Sequence, residues 1–130
     1  GRSRIHHHWI PGARTGETEV LADNLPGFPD NLSFSHETLW VAHASPRQPA
    51  LDAMASRTWM KQIAHRLPEA LKPKPLRHGM VFGYDDAGNV THNFQDPSGV
   101  VAITTSARVV DGTLYVGVLS DPHVAVLSLL

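Results

Sequence analysis

Asp30 and Asn31 put an acid and an amide side by side, just ahead of the apolar run Leu32-Ser33-Phe34. Their tips offer hard oxygen atoms and one amide donor. Two readings stand for such a pair: a Pro-Asp-Asn turn, or part of a calcium site. Calcium takes about 6–8 oxygens, so the pair alone would supply only a share of a coordination shell. His43 ends the run Leu39-Trp40-Val41-Ala42 and precedes a loop. It reads as a general base or orienting donor, or as an ordinary histidine at a strand end. His6-His7-His8 carry imidazoles that suit nickel or zinc. On a strand, however, His6 and His8 share one face and His7 takes the other, so the run is assigned no role. His65 falls in a helical pattern and His123 in a turn after Asp121-Pro122. Ser45, Ser106 and Ser120 lie outside any G-x-S-x-G elbow, which leaves no serine-nucleophile signature.

The elements that must position these groups are short strands. Leu25 to Trp40 reads as a Pro/Gly-punctuated approach, the polar pair, a strand near Leu32–Phe34, the turn Ser35-His36-Glu37, and a strand over Leu39–Ala44. Before it, Arg4–Ile10 and Glu19–Ala22 form a hairpin around a Gly-rich tip. After it, Met80–Tyr84 and Val90–Phe94 flank the turn Asp85-Asp86-Ala87-Gly88-Asn89. Val100–Thr104 and Ser106–Val110 lead to the turn Asp111-Gly112, and Leu114–Leu119 and Val124–Leu129 follow. Between the strand groups, Leu51, Met54, Trp59, Met60, Ile63, Ala64 and Leu67 recur at three- and four-residue steps. That spacing predicts an amphipathic helix, ended by Pro68, Pro73 and Pro75. Its apolar stripe reads as a face packed on the core, or as a lid or partner surface.

Leu39-Trp40-Val41-Ala42 and Leu114-Tyr115-Val116-Gly117 share one pattern at a spacing of 75 residues. Discounting the roughly thirty-residue insertion leaves about 45, the length of a four-stranded propeller blade. The expected fold is therefore all-β: a partial propeller of about two blades with one inserted helix. Residues 1–24 would end one blade, 25–49 with 79–97 would make a full blade, 50–78 would be the helical insertion, and 98–130 would start the next blade. A propeller is a closed ring. Either further blades precede this chain, or copies of it self-associate to cover the exposed faces.

Composition bounds the function. In 130 residues, 42% are hydrophobic and 18% charged, as in a chain that folds. The formal net charge of −1 gives no nucleic-acid footprint. No run approaches the roughly 20 apolar residues of a membrane-spanning helix. The absence of cysteine excludes disulfides, thiolate metal sites and a cysteine nucleophile.

The segments RIHHHWI, GETEVLADNLPGFPDNLSF, TLWVAHASPR, VFGYDDAGNV and VVDGTLYVGVLSDPHVAVLSL resemble the C-terminal third of strictosidine synthase-like proteins, a group that includes the adipocyte plasma membrane-associated protein. That group is similar to paraoxonases and gluconolactonase-type propellers. The resemblance implies a six-bladed propeller with a calcium ion in its channel and hydrolysis of a small ester or lactone. It implies Asp30 and Asn31 as metal ligands, His43 as the catalytic candidate, and Phe28, Thr105, Ser120 and Asp121 as pocket residues. It also implies that the glutamate needed for strictosidine formation is replaced by Thr105, which argues against that condensation. The non-enzymatic alternative is a binding or assembly module that completes its propeller by self-association.

Overall fold

The computed structural model describes residues 3–49, 53, 59, 62–63, 66–72 and 76–130. Nine strands appear in it: β1 (Ile5–His8), β2 (Thr18–Ala22), β3 (Gly27–Ser35), β4 (Thr38–Pro46), β5 (Gly79–Tyr84), β6 (Val90–Asp96), β7 (Thr104–Val110), β8 (Thr113–Val118) and β9 (Val124–Ser128). They form three antiparallel sheets, ordered β1-β2, β3-β4-β5-β6 and β7-β8-β9. The chain is all-β among the described residues, and three successive up-and-down sheets are consistent with part of a propeller.

The central sheet packs between the other two. On one face, Val41, Met80, Phe82 and Tyr84 meet Ile5, Ala22 and Leu25. On the other, Trp40, Ala42 and Val81 meet Ala107, Leu114 and Val116. Every residue of β5 is buried, as a middle strand covered on both faces should be. Removing each large apolar side chain of these clusters from water contributes about 1.5–3 kcal/mol.

Register repeats along with sequence. Val41 lies opposite Leu32 in β3 and Phe82 in β5. Val116 lies opposite Ala107 in β7 and Ala125 in β9. Leu32, Phe34, Leu39 and Val41 thus correspond to Ala107, Val109, Leu114 and Val116, all at the spacing of 75 residues. The two hairpin turns correspond as well. Asp111 and Gly112 have φ of 48° and 73°, and His36 and Glu37 have 48° and 61°. Both turns need two left-handed residues, which suits the twist of the strands they join.

Two expectations need correction, and a third falls outside the described residues. The strand expected near Leu32–Phe34 is nine residues long and begins at Gly27. Pro29, read as part of the approach to the strand, lies within β3, an edge strand where a missing N–H is tolerated. The strand expected over Val100–Thr104 is a loop until Thr104. Gly99 and Ile103 take left-handed φ of 76° and 52°, and the Asp96 carboxylate accepts the Val101 N–H at 2.6 Å. Last, the helix expected over Leu51–Leu67 is not shown, because most of it lies outside the described residues. In that stretch Trp59 and Ile63 are more than half exposed, and a 3-10 turn spans Glu69–Leu71.

Candidate functional site

The antiparallel register decides which residues share an end of the molecule. Gly27 opposes Pro46, Met80 opposes His43, Gly79 opposes Asp96, and Thr104 opposes Val118. The starts of β3, β5 and β7 and the ends of β4, β6 and β8 therefore lie together. Phe28, Asp30, Asn31, His43, Thr105, Ser120 and Asp121 all belong to this end or to the first residues inside it.

Asp30 and Asn31 occupy a bulge. Pro29 pairs with His43 and Leu32 with Val41, so two residues of β3 stand against the single residue Ala42. A bulge re-aims side chains that strict alternation would send to opposite faces. The Asn31 amide nitrogen donates to the Thr105 carbonyl at 2.8 Å. With that nitrogen engaged, the group Asn31 retains for a ligand is its amide oxygen. Asp30 is exposed, and no hydrogen bond or ion pair to its carboxylate is formed among the described residues. This donor set, hard oxygens without a fixed cation, fits part of a calcium shell. No group of three or more His, Cys, Asp or Glu able to hold a metal occurs among the described residues. Any further ligands would be carbonyls, amides, water or groups from elsewhere.

His43 is fully buried. Its ring meets Phe82 edge-on, with centroids 5.2 Å apart. Neither ring nitrogen has a hydrogen-bond partner among the described residues. Burial, opposed more weakly by the Val41 carbonyl, drives its pKa down to about 4, so the ring is neutral at pH 7. Gly27 lies directly against it: a Cβ on Gly27 would come within 3.0 Å of the His43 Cβ and 2.8 Å of the Ser45 carbonyl oxygen. The sequence places His43 at the end of the strand, and β4 in fact continues three residues further, to Pro46.

Ser120 and Asp121 are tied to a residue that the sequence reading missed. Arg77 donates to Asp121 at 2.9 Å, to the Ser120 hydroxyl at 3.3 Å, and to the Gly99 carbonyl at 3.1 and 3.3 Å. The Ser120 hydroxyl also donates to Asp121 at 2.8 Å. These contacts, Ser120 first and Arg77 second, hold the Asp121 carboxyl below the usual carboxylate range. Arg77 joins the β6–β7 and β8–β9 loops. It sits among the prolines and basic residues at the end of the insertion, where nothing in the sequence marks it.

Thr104 was also missed. Its hydroxyl lies 2.7 Å from the His43 carbonyl oxygen and 2.9 Å from that of Met80, and it is buried. The neighbouring Thr105 is half-buried, its hydroxyl 3.4 Å from the Gly117 carbonyl. A cavity of about 240 Å³ opens between the central and third sheets. Met80, Phe94, Thr104, Leu114, Val116 and Ala125 are among its walls. None of the expected pocket residues lines it. Phe28 is 39% exposed.

No family model matches the chain. It is 32% identical to protein strictosidine synthase-like 13 of Arabidopsis thaliana, over 95% of this chain and 30% of that protein. It is 32% identical to the adipocyte plasma membrane-associated protein of Salmo salar and 30% identical to that of Homo sapiens, each match covering 98% of this chain and 32% of the relative. The chain spans about a third of the length of the curated relatives it matches. Among the described residues, no helix is long and apolar enough to cross a membrane. Over nearly its whole length, this chain belongs with the strictosidine synthase-like and adipocyte plasma membrane-associated proteins.

Proposed function

We propose that the chain is a single partial propeller domain of calcium-dependent hydrolase lineage, contributing part of a site for a small ester or lactone. The supporting observation is the β3 bulge. It sets Asp30 and Asn31 side by side on an edge strand, ties the Asn31 nitrogen to Thr105, and leaves three side-chain oxygens without a cationic partner among the described residues. Asp30 and Asn31 would hold the metal. Calcium, when bound, polarises a carbonyl and stabilises negative charge developing on its oxygen.

The chain's own residues have narrower tasks. The Asn31–Thr105 bond fixes the amide plane, so its oxygen is oriented before a cation arrives. Arg77 holds Ser120 and Asp121 on one loop at this end of the sheets, where they would shape the rim with Phe28 and Thr105. His43 is neutral at pH 7 and so has a free basic nitrogen, but it lies beneath the surface. Its use as a base requires the covering β3 approach around Gly27 to open.

Calorimetric titration of calcium into the chain, with Asp30→Ala and Asn31→Leu as variants, tests the reading. Binding that both variants weaken at least about tenfold supports it. Calcium binding of unchanged strength in both variants, or no binding by the folded chain, overturns the metal assignment. Aryl-ester and lactone turnover with and without chelator then tests the hydrolase lineage separately.

A further inference from the structure

Ile103 holds a backbone shape that its residue type disfavours. Its φ is 52°, in the left-handed region. Among the described residues, the other non-glycine positions with such a φ are Asn24, His36, Glu37 and Asp111, none of them β-branched. A branched side chain is crowded there, whereas Gly or Asn fits with little strain. The shape is imposed from both sides. Arg77 grips the Gly99 carbonyl, and the Asp96 carboxylate accepts the Val101 N–H. The Leu119 N–H donates to the Ile103 carbonyl at 3.1 Å, and the Thr104 hydroxyl donates to the His43 carbonyl. None of these contacts uses the Ile103 side chain. That side chain is partly buried, but it is not among those packed on either apolar cluster. Core packing therefore does not offset the strain, and strain of this kind marks functional sites.

The internal repeat gives its place. Thr104 opposes Val118 and Ser106 opposes Gly117, so β7 carries an extra residue at Thr105. This bulge matches the one in β3: at the spacing of 75 residues, Thr105 corresponds to Asp30 and Ile103 to Phe28. The two strands run in step, since Asn31 and Ser33 donate to the Thr105 and Ala107 carbonyls. One step earlier, Ile103 comes level with Pro29, beside Phe28. Two apolar side chains on neighbouring strands thus flank the Asp30-Asn31 bulge. We infer that Ile103 is a specificity residue of the candidate site and forms, with Phe28, an apolar contact for the hydrocarbon part of the ester or lactone. This rests on the proposed function for what is bound there. It narrows the substrate class to esters and lactones with an alkyl or aryl group next to the carbonyl. A polyhydroxylated lactone would set its hydroxyls against apolar side chains, where they lose their hydrogen bonds to water.

Two neutral ketones that are not hydrolysed serve as probes: hexyl methyl ketone and ethyl methyl ketone. The carbonyl stands in for that of the ester, and the alkyl chain for its hydrocarbon part. Each is titrated into the intact chain, in calcium and in chelator, and followed by the NMR shift of the Thr105 amide. The longer ketone should bind at least about tenfold more tightly than the shorter one. Ile103→Asn and Phe28→Ser should each remove most of that preference, and Ile103→Val should keep it. Equal binding of the two ketones, no binding of either, or a preference that Ile103→Asn leaves intact overturns the proposal. Urea unfolding gives a readout without any ligand. Asn accepts the left-handed φ, so Ile103→Asn should keep a folding constant within about tenfold of wild type. A much larger loss would place the Ile103 side chain in the core and overturn its assignment to the site. A chain-length preference that is the same in calcium and in chelator, together with no ester turnover, keeps the apolar contact and ends the calcium-hydrolase reading.

Discussion

The Thr104 hydroxyl reaches across from the third sheet to within 2.7 Å of the His43 carbonyl oxygen, at the point where β4 pairs with Met80 of β5. The Met80 carbonyl lies 2.9 Å away, and the Met80 N–H points at the same oxygen from 3.4 Å. One hydroxyl thus fastens the inner corner of the central sheet to the start of β7. Because the group is buried, water cannot replace it. Thr104→Val keeps the shape and removes the donor. It should cost about 1–3 kcal/mol in urea unfolding, the range for a buried acceptor left unpaired. Thr104→Ser keeps the donor and should recover the hydrogen-bond part of that loss.

His43 should make stability pH-dependent in one window. Its folded pKa of about 4 lies below the ordinary value of 6.5. Between these values the unfolded chain binds a proton that the folded chain refuses, so stability falls as pH drops from 6.5 toward 4 and is unaffected by His43 above that range. The full difference corresponds to roughly 3 kcal/mol. His43→Leu should flatten the dependence of unfolding free energy on pH between 6.5 and 4. The chain has eight other histidines, so the measurement that isolates His43 is the difference between variant and wild type at each pH. A difference that does not change with pH would mean that the folded ring binds its proton as readily as the unfolded one.

Gly88 should be irreplaceable for two separable reasons. Its φ is +83°, and a Cβ there would fall 1.8 Å from the Leu21 carbonyl oxygen of β2. The β5–β6 turn therefore touches the backbone of the first sheet. Gly12 has a similar φ of +97° but open space around its Cβ. Gly12→Ala should cost only the left-handed strain, about 1 kcal/mol. Gly88→Ala should cost clearly more and loosen β1-β2, read as faster amide exchange in β2 with little change in β8.

Much of this architecture is legible in the sequence. The turns Asp85–Asn89 and Asp111-Gly112 name their own hairpins, and the Leu39/Leu114 repeat locates matching strands. What was hidden is carried by long-range contact. Pro29-Asp30-Asn31 reads as a turn because each residue favours one. Only the edge position of β3 and its pairing with β4 turn the triplet into a bulged strand. Val100 to Ile103 has strand composition, yet the Asp96 carboxylate holds it as a loop. Arg77 and Thr104 are ordinary residue types whose partners are at least 22 residues away in sequence. Asp30, Asn31 and His43 stood out by residue type, but their surroundings did not. One is exposed without a partner, one is bonded to Thr105, and one is sealed beneath Gly27.

The bonds from Asn31 to the Thr105 carbonyl and from Ser33 to the Ala107 carbonyl should act as coupled stitches between the inner strands. Each is a side-chain donor on β3 reaching a carbonyl on β7, two residues apart on both strands. Asn31 is exposed, so water can replace its bond, and Asn31→Ala should cost no more than about 1 kcal/mol. Ser33 is half-buried, so Ser33→Ala should cost about 1 kcal/mol or somewhat more. If the β3–β7 contact closes as one unit, the double variant will lose less than the sum, because the first break already frees the second pair. Additive losses would mean that the apolar cluster of Trp40, Ala107 and Leu114 holds the sheets in register without the polar pairs. Repeating the cycle in calcium separates the two tasks given to Asn31: a loss of the same size with and without calcium marks the stitch, and a loss that grows with calcium marks the ligand.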